Sequence, residues 1–171
     1  MQLSWTLPDA IIYPTGGGTG LIGMWKAFLE LRAAGWVTSE MPRLYTVQST
    51  GCAPVVKAFQ EGLDHAEPWP DPWTIASGLR VPGPLGDKLM LRVLRETGGG
   101  AVAVPDEEMS KLAALGTREE GIDFSPEGGA SIAAAVLLQE QGVLTPTDRV
   151  VLFNTGAGWL YRDGEQLLAT P

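Results

Sequence analysis

Six residues constrain this chain more than any others: Thr15-Gly16-Gly17-Gly18-Thr19-Gly20, set between the apolar run Ala10-Ile11-Ile12-Tyr13 and the apolar stretch Leu21 to Ala34. Pro14 ends the first run, as suits a strand whose next residues leave the sheet. The stretch from Leu21 is apolar around most of a helical wheel apart from Lys26, Glu30 and Arg32, and Gly35 stops it. A helix this apolar is expected to be buried on several sides. Between strand and helix, the glycines expose consecutive backbone N–H groups, unshielded by side chains, at the positive end of a helix dipole. That arrangement binds anions, most naturally phosphate, and Thr15 and Thr19 add hydroxyl donors. The plain alternative is a tight turn with glycines for close packing.

The rest of the chain alternates in the same way. Arg43 to Gln48 reads as a second strand, Ala53 to Glu61 as a helix closed by Gly62, Asp87 to Thr97 as a helix, and Gly100 to Val104 as a short strand. Asp106 is expected to cap a helix running to about Leu115. Ser125-Pro126-Glu127 signals the start of a helix through Gln141. Asp148 to Phe153 is the last clear strand and runs into Asn154-Thr155-Gly156-Ala157-Gly158. Asp64 to Pro84 carries Pro68, Pro70, Pro72, Pro82 and Pro84, so it is an ordered loop, either a lid or a surface wrap. Strands alternating with helices predict an α/β domain, a mostly parallel sheet flanked by helices. Ligands in such folds bind beyond the carboxyl ends of the strands, where Thr15 to Gly20 and Asn154 to Gly158 both fall.

Counting removes several chemistries. One cysteine and one histidine in 171 residues exclude an internal disulfide, a multi-cysteine metal site and a histidine cage. Twenty acidic against twelve basic residues, a net charge of −8, oppose nucleic-acid and anionic-membrane partners. No apolar run approaches the roughly 18–20 residues of a membrane span, and Met1-Gln2-Leu3-Ser4 lacks the features of a secretory signal. A cytoplasmic location is expected. The 22 glycines and 13 prolines stay below the share typical of low-complexity chains, so a single folded domain is expected.

The kind of phosphate ligand can be narrowed. Gly18-x-Gly20-x-x-Gly23 matches a dinucleotide fingerprint, yet the next strand ends in Gln48-Ser49-Thr50-Gly51 rather than in the acidic residue that would hold a ribose. A nucleoside-triphosphate loop wants Gly-Lys-Ser/Thr, and no lysine follows until Lys26. A single phosphate group with little else attached is the remaining fit.

Tyr13-Pro14-Thr15-Gly16-Gly17-Gly18-Thr19-Gly20-Leu21-Ile22-Gly23-Met24-Trp25-Lys26-Ala27-Phe28 resembles the cofactor-phosphate loop and following helix of bacterial threonine synthases, pyridoxal-phosphate enzymes of the fold type II, or tryptophan synthase β-like, group. The resemblance continues in order through Val47 to Pro54, Gly78 to Pro82, Leu94 to Gly99, Ser125 to Ala130 and Phe153 to Gly156. It implies pyridoxal 5′-phosphate as cofactor, its phosphate held by Thr15, Gly16, Gly17, Gly18, Thr19 and Gly20. It also implies a hydroxyl contact from Thr155 to the pyridine nitrogen. A neutral hydroxyl there leaves the nitrogen largely unprotonated, which favours elimination and replacement at the β and γ carbons. Glu127 is carried over as a residue near the cofactor. Where the family continues with Gly-Thr-Gly and a lysine, this chain has Gly156-Ala157-Gly158-Trp159-Leu160.

The family's covalent anchor is a lysine in an N-terminal segment, and no matching segment exists here. Lys26, Lys57, Lys88 and Lys111 each fall in an expected helix beside polar residues, so no catalytic residue is assigned. By resemblance, residues 1–171 form the C-terminal part of the large domain of such an enzyme, which converts O-phosphohomoserine and water to threonine and phosphate. The alternatives are a non-catalytic phosphate-binding or docking module and a fragment of another fold type II lyase such as a threonine or serine dehydratase; the expected partners are a small-molecule substrate and either a second copy in a homodimer or a missing N-terminal half. His65, in an acidic Pro-rich loop, reads as a surface residue, Cys52 as a buried structural one, and Arg118-Glu119-Glu120 as a solvated turn.

Overall fold

The computed structural model describes residues 5–162, so Met1 to Ser4 and the last nine residues of the expected domain lie outside the described residues. Four parallel strands lie in the order β3-β2-β1-β4: β1 (Ala10–Pro14), β2 (Arg43–Ser49), β3 (Gly100–Val104) and β4 (Val150–Leu152). The register pairs Ile12 with Tyr45 on one side and with Leu152 on the other, which makes β1 an interior strand. Five helices connect and cover them: α1 (Thr19–Ala33), α2 (Pro54–Gln60), α3 (Asp87–Glu96), α4 (Asp106–Glu120) and α5 (Pro126–Glu140). The α/β expectation is met, with the sheet between two helical layers.

Alternation along the strands builds both layers. Ala10, Ile12, Tyr45, Val47, Val102 and Val104 face α4 and α5, where Met109, Leu112, Ala130, Ala134 and Leu138 complete one core. Ile11 and Leu44 face the other way, toward Leu21, Val55, Met90, Leu91 and Leu94. Burying side chains of this size contributes about 1.5–3 kcal/mol each.

Three local expectations are corrected. Helix α4 continues five residues past Leu115, because Gly116 is a packing position within the helix. A Cβ there would lie 2.8 Å from Ile132 Cδ1, so glycine lets α5 approach closely, and the helix ends at Gly121, whose φ of +68° is left-handed. Arg118-Glu119-Glu120 therefore forms the exposed last turn of α4. Asp106 does not cap that helix. Its carboxylate accepts hydrogen bonds from Ser49 Oγ (2.9 Å), Thr74 Oγ1 (2.6 Å) and Ile75 N (2.9 Å), tying β2 to the Pro-rich loop. Helix α1 buries only Leu21 fully; Ile22, Met24, Trp25, Phe28 and Leu31 stay half-buried and Leu29 is 42% exposed. Its apolar surface exceeds what the rest of the described chain covers.

The Pro-rich segment is a wrap. Trp69 N donates to Pro82 O and Trp73 N to Gly51 O, and a short 3-10 turn at Ser77–Leu79 buries Leu79. No helix among the described residues is long and apolar enough to cross a membrane.

Candidate functional site

The glycine run leaves the sheet where the sequence places it, at the carboxyl end of β1. Thr15 N donates to Val47 O (3.0 Å), the last bond of the ladder, and the next N–H with a backbone acceptor among the described residues is that of Ile22, which donates to Gly18 O (3.0 Å). Between them, the N–H groups of residues 16–21 have no protein acceptor among the described residues. Six free donors at one helix N-terminus form a ready anion cradle. Gly18, at φ +89°, is the N-cap of α1 and has no side chain to cap the helix itself. Side chains would spoil the cradle: a Cβ on Gly16 would sit 2.3 Å from Gly78 O, and one on Gly18 would sit 2.2 Å from Met90 Sδ. Gly17 is exposed with open space around its Cα, so it faces outward with nothing in the way.

The two threonines of the loop have different work. Thr15 is buried and its Oγ1 donates to Tyr13 O (2.9 Å), so its hydroxyl serves the turn. Thr19 is exposed, and its hydroxyl has no partner among the described residues. Gly20 lies against the Tyr13 ring, where a Cβ would meet the phenol oxygen at 2.1 Å.

Thr155 belongs to the loop after β4, the strand beside β1, and it stands three residues past Leu152 as Thr15 stands three past the paired Ile12. Its side chain is exposed. Neighbours hold the loop in place: Phe153 N donates to Ile12 O (3.2 Å), the Phe153 ring packs edge-on to Tyr13 at 5.1 Å, Ser131 Oγ donates to Phe153 O (2.9 Å), and Asn154 Oδ1 accepts from Ser125 N (3.2 Å). The sheet and Tyr13 thus bring both loops to one end of the molecule. Ser125 caps α5 as expected, its Oγ accepting from Gly128 N at 3.2 Å.

Glu127 is 4% exposed, and its carboxylate is engaged by the chain itself. Oε1 accepts from Gly78 N (2.9 Å) and from Tyr161 Oη (2.5 Å), while Oε2 is buried with no partner among the described residues. Burial, and next the Glu127 carboxylate, hold the Tyr161 phenol above its ordinary pKa, so it stays a donor. Glu127 reaches the cradle through Gly78, whose carbonyl abuts Gly16.

The remaining candidates lie where their local sequence predicts. Lys26 pairs with Glu30 and Lys111 with Glu108 on exposed helix faces, and Lys57 and Lys88 are exposed as well. His65 is a surface partner of Glu67 at 3.0 Å. Cys52 is fully buried, and desolvation pushes its thiol up, away from reactivity.

Two contributors to the site escape sequence reasoning. Gln48, where a dinucleotide fold would want an acid, donates from Nε2 to Thr15 O (3.3 Å) and accepts at Oε1 from Val55 N and Val56 N. It links the entrance of the cradle to the start of α2. Its sequence signal is an amide following Val47 near the carboxyl end of β2. Tyr161 carries no signal, since it acts across 34 residues.

Comparison with known proteins agrees with this geometry. A family model described as pyridoxal-phosphate dependent enzyme matches residues 2–156. A threonine synthase of Methanocaldococcus jannaschii is 34% identical over 157 residues, covering 92% of this chain and 38% of that protein. A cysteate synthase of Methanoculleus marisnigri is 31% identical over 166 residues, covering 90% of this chain and 38% of that one. In fold, the processed form of threonine deaminase isoform 2 from Solanum lycopersicum matches with a TM-score of 0.69 at 20% identity, over 94% of this chain and 43% of that chain. The chain thus spans about 38% of the length of these curated relatives. With the match running through both loops at the carboxyl end of the sheet, the chain belongs to the pyridoxal-phosphate dependent enzyme family.

Proposed function

We propose that this chain provides the phosphate-binding and ring-binding part of a lyase that converts O-phosphohomoserine and water to threonine and phosphate. One observation carries the reading: the unbroken run of unpaired N–H groups from Gly16 to Leu21 at the start of α1, on a loop where side chains at Gly16 and Gly18 would collide with the fold. A phosphate monoester fits such a cradle, and among the described residues no feature for a ribose or a second phosphate accompanies it. In this reading Gly16, Gly17, Gly18, Thr19 and Gly20 donate to the phosphate of pyridoxal 5′-phosphate, and the dipole of α1 adds a favourable field. Thr15 holds the turn. Thr155 offers an uncharged hydroxyl to the pyridine nitrogen, so that nitrogen is not driven to take a proton. When bound, the cofactor supplies an electron sink that acidifies C–H bonds next to the substrate nitrogen. The 34% identity to a threonine synthase supports this substrate over that of a dehydratase.

None of the four lysines lies in the cradle, so we assign the covalent anchor of the cofactor to a region outside this chain. The same proposal gives the uncovered face of α1 an occupant. Ile22, Trp25, Phe28 and Leu29 are where the remainder of the large domain packs, on the same polypeptide or on a second one. In this reading the chain acts in the cytoplasm.

The test uses the purified chain with pyridoxal 5′-phosphate. Saturable non-covalent binding is expected, with no single lysine trapped stoichiometrically by borohydride and no phosphate released from O-phosphohomoserine. Stoichiometric trapping of one lysine together with phosphate release would place the anchor within the chain and overturn that assignment. Hydrophobic-dye binding and light scattering test the face of α1: a monomer that binds no dye would count against the docking reading.

A further inference from the structure

We infer that Glu127 is a positioning residue for the phosphate cradle, holding Ser77 and Gly78 against Gly16 with Tyr161 as its brace. The inference rests on the cradle reading above but assigns Glu127 a role through the backbone and not through the cofactor.

The chain of contacts is short. Gly16 has no Cβ because the Gly78 carbonyl occupies that space, 2.3 Å from the position a Cβ would take. Where Gly78 sits therefore sets where Gly16 can sit, and Gly16 is the first of the six free donors. Gly78 in turn is held by its N–H, which donates to Glu127 Oε1 at 2.9 Å. The same oxygen accepts the Tyr161 hydroxyl at 2.5 Å, and Ser77 Oγ lies 3.5 Å from that hydroxyl. Glu127 is anchored on the first turn of α5, at the floor of the Asn154-Thr155-Gly156 loop, through the Ser125 cap that Asn154 also bonds. One carboxylate thus joins three separate segments: the Pro-rich wrap, α5 and the turn at Gly158–Tyr161 that follows the second loop. Burying it is costly, and each of its two donors comes from a segment that bears on one of the ligand loops. A leucine of similar size would fill the space without fixing Gly78.

The experiment follows backbone amides of the full chain by heteronuclear NMR while inorganic phosphate is added, in the wild type and in Glu127→Ala, Glu127→Gln and Tyr161→Phe. Glu127→Ala is expected to speed exchange of the Gly78 amide more than tenfold, to shift the Gly16 and Gly17 resonances and to weaken phosphate binding about tenfold. Amides of the β1–β2 ladder should keep their protection. Glu127→Gln retains an oxygen acceptor and is expected to restore Gly78 protection and most of the phosphate affinity, which a role based on charge would not allow. Tyr161→Phe removes only the brace and should weaken binding about threefold, deciding the matter even if Glu127→Ala does not fold. Unchanged Gly16 resonances in Glu127→Ala, or unchanged phosphate affinity once Gly78 is released, would overturn the inference. Absence of any phosphate response in the wild type would instead overturn the cradle reading, while Gly78 exchange and the Gly16 shift would still decide the role of Glu127.

Discussion

The two ends of the sheet make opposite use of polar groups. At the amino ends of the strands, a cleft of about 600 Å³ is lined by Asp9, Glu40, Arg43, Asp148 and Arg149 among others. Its charges are largely spent on each other and on the chain: Arg43 pairs with Asp148 at 3.0 Å and donates to Val143 O, and Arg149 approaches Asp9 at 3.6 Å and donates to Leu7 O. At the carboxyl ends the carboxylates of Asp106 and Glu127 are likewise engaged by the chain, yet six backbone donors stand free among the described residues. A large charged cleft and a binding site are different things. What matters for a ligand is donor capacity left over after folding, and that lies at the glycine end.

Substitutions can break or sharpen this contrast. The largest effect is expected from Gly16→Ala. Its Cβ would collide first with the Gly78 backbone carbonyl, at 2.3 Å, and then with Val81 Cγ2, at 2.8 Å, so the Pro-rich wrap must move. Overpacking of this kind costs roughly 1–3 kcal/mol, visible as a lower urea midpoint, and phosphate and cofactor binding should be abolished. A variant with wild-type binding would refute the cradle. Gly17→Ala is the sharper test, because its Cβ meets nothing within 4 Å among the described residues. Stability should stay within about 0.5 kcal/mol of wild type, as for surface changes generally, while pyridoxal-phosphate affinity by fluorescence titration falls about tenfold.

At the other end, Asp148→Asn should leave ligand binding untouched and change only the response to acid. Hydrogen bonding from Thr145 N at 2.6 Å, and then from Arg43, holds the Asp148 carboxyl below its ordinary value. A carboxyl with a lowered folded pKa contributes stability that is present above the unfolded value, near 3.9, and is lost as pH falls through the folded one. Thermal midpoints measured from pH 2.5 to 7 should therefore fall less steeply below about pH 4 in the variant. Identical acid limbs would show that this pair contributes nothing.

The fold was legible because its signals are local. Apolar runs of strand length, glycine stops and the Ser125-Pro126 start fix the sheet and most helices, and the glycine loop falls between β1 and α1 as read. What could not be read depends on partners far along the chain. The helix after Pro105 looks as if it ends near Leu115 until Ile132 and Phe124 are seen against Gly116, and Asp106 looks like a cap until Ser49 and Thr74 reach it. Of the site, the glycines and the placement of Thr155 beside them follow from pattern and family likeness. Gln48, Tyr161 and the indirect connection of Glu127 come from tertiary contacts that no spacing announces. The half-exposed α1 is a different case: its composition predicted burial, and the described residues cover only part of it.

The interior position of β1 has a consequence for how the molecule is made. Its partner on one side, β2, is close behind it in the chain, but β4 pairs from the far end, where Arg149 N bonds Asp9 across a separation of 140 residues. Closing a loop of that size is entropically costly and late. During synthesis, the glycine loop and α1 can settle against β2 long before the strand leading to Thr155 has left the ribosome. The two halves of the ligand site therefore emerge at different times, the glycine loop first and the loop carrying Thr155 after it.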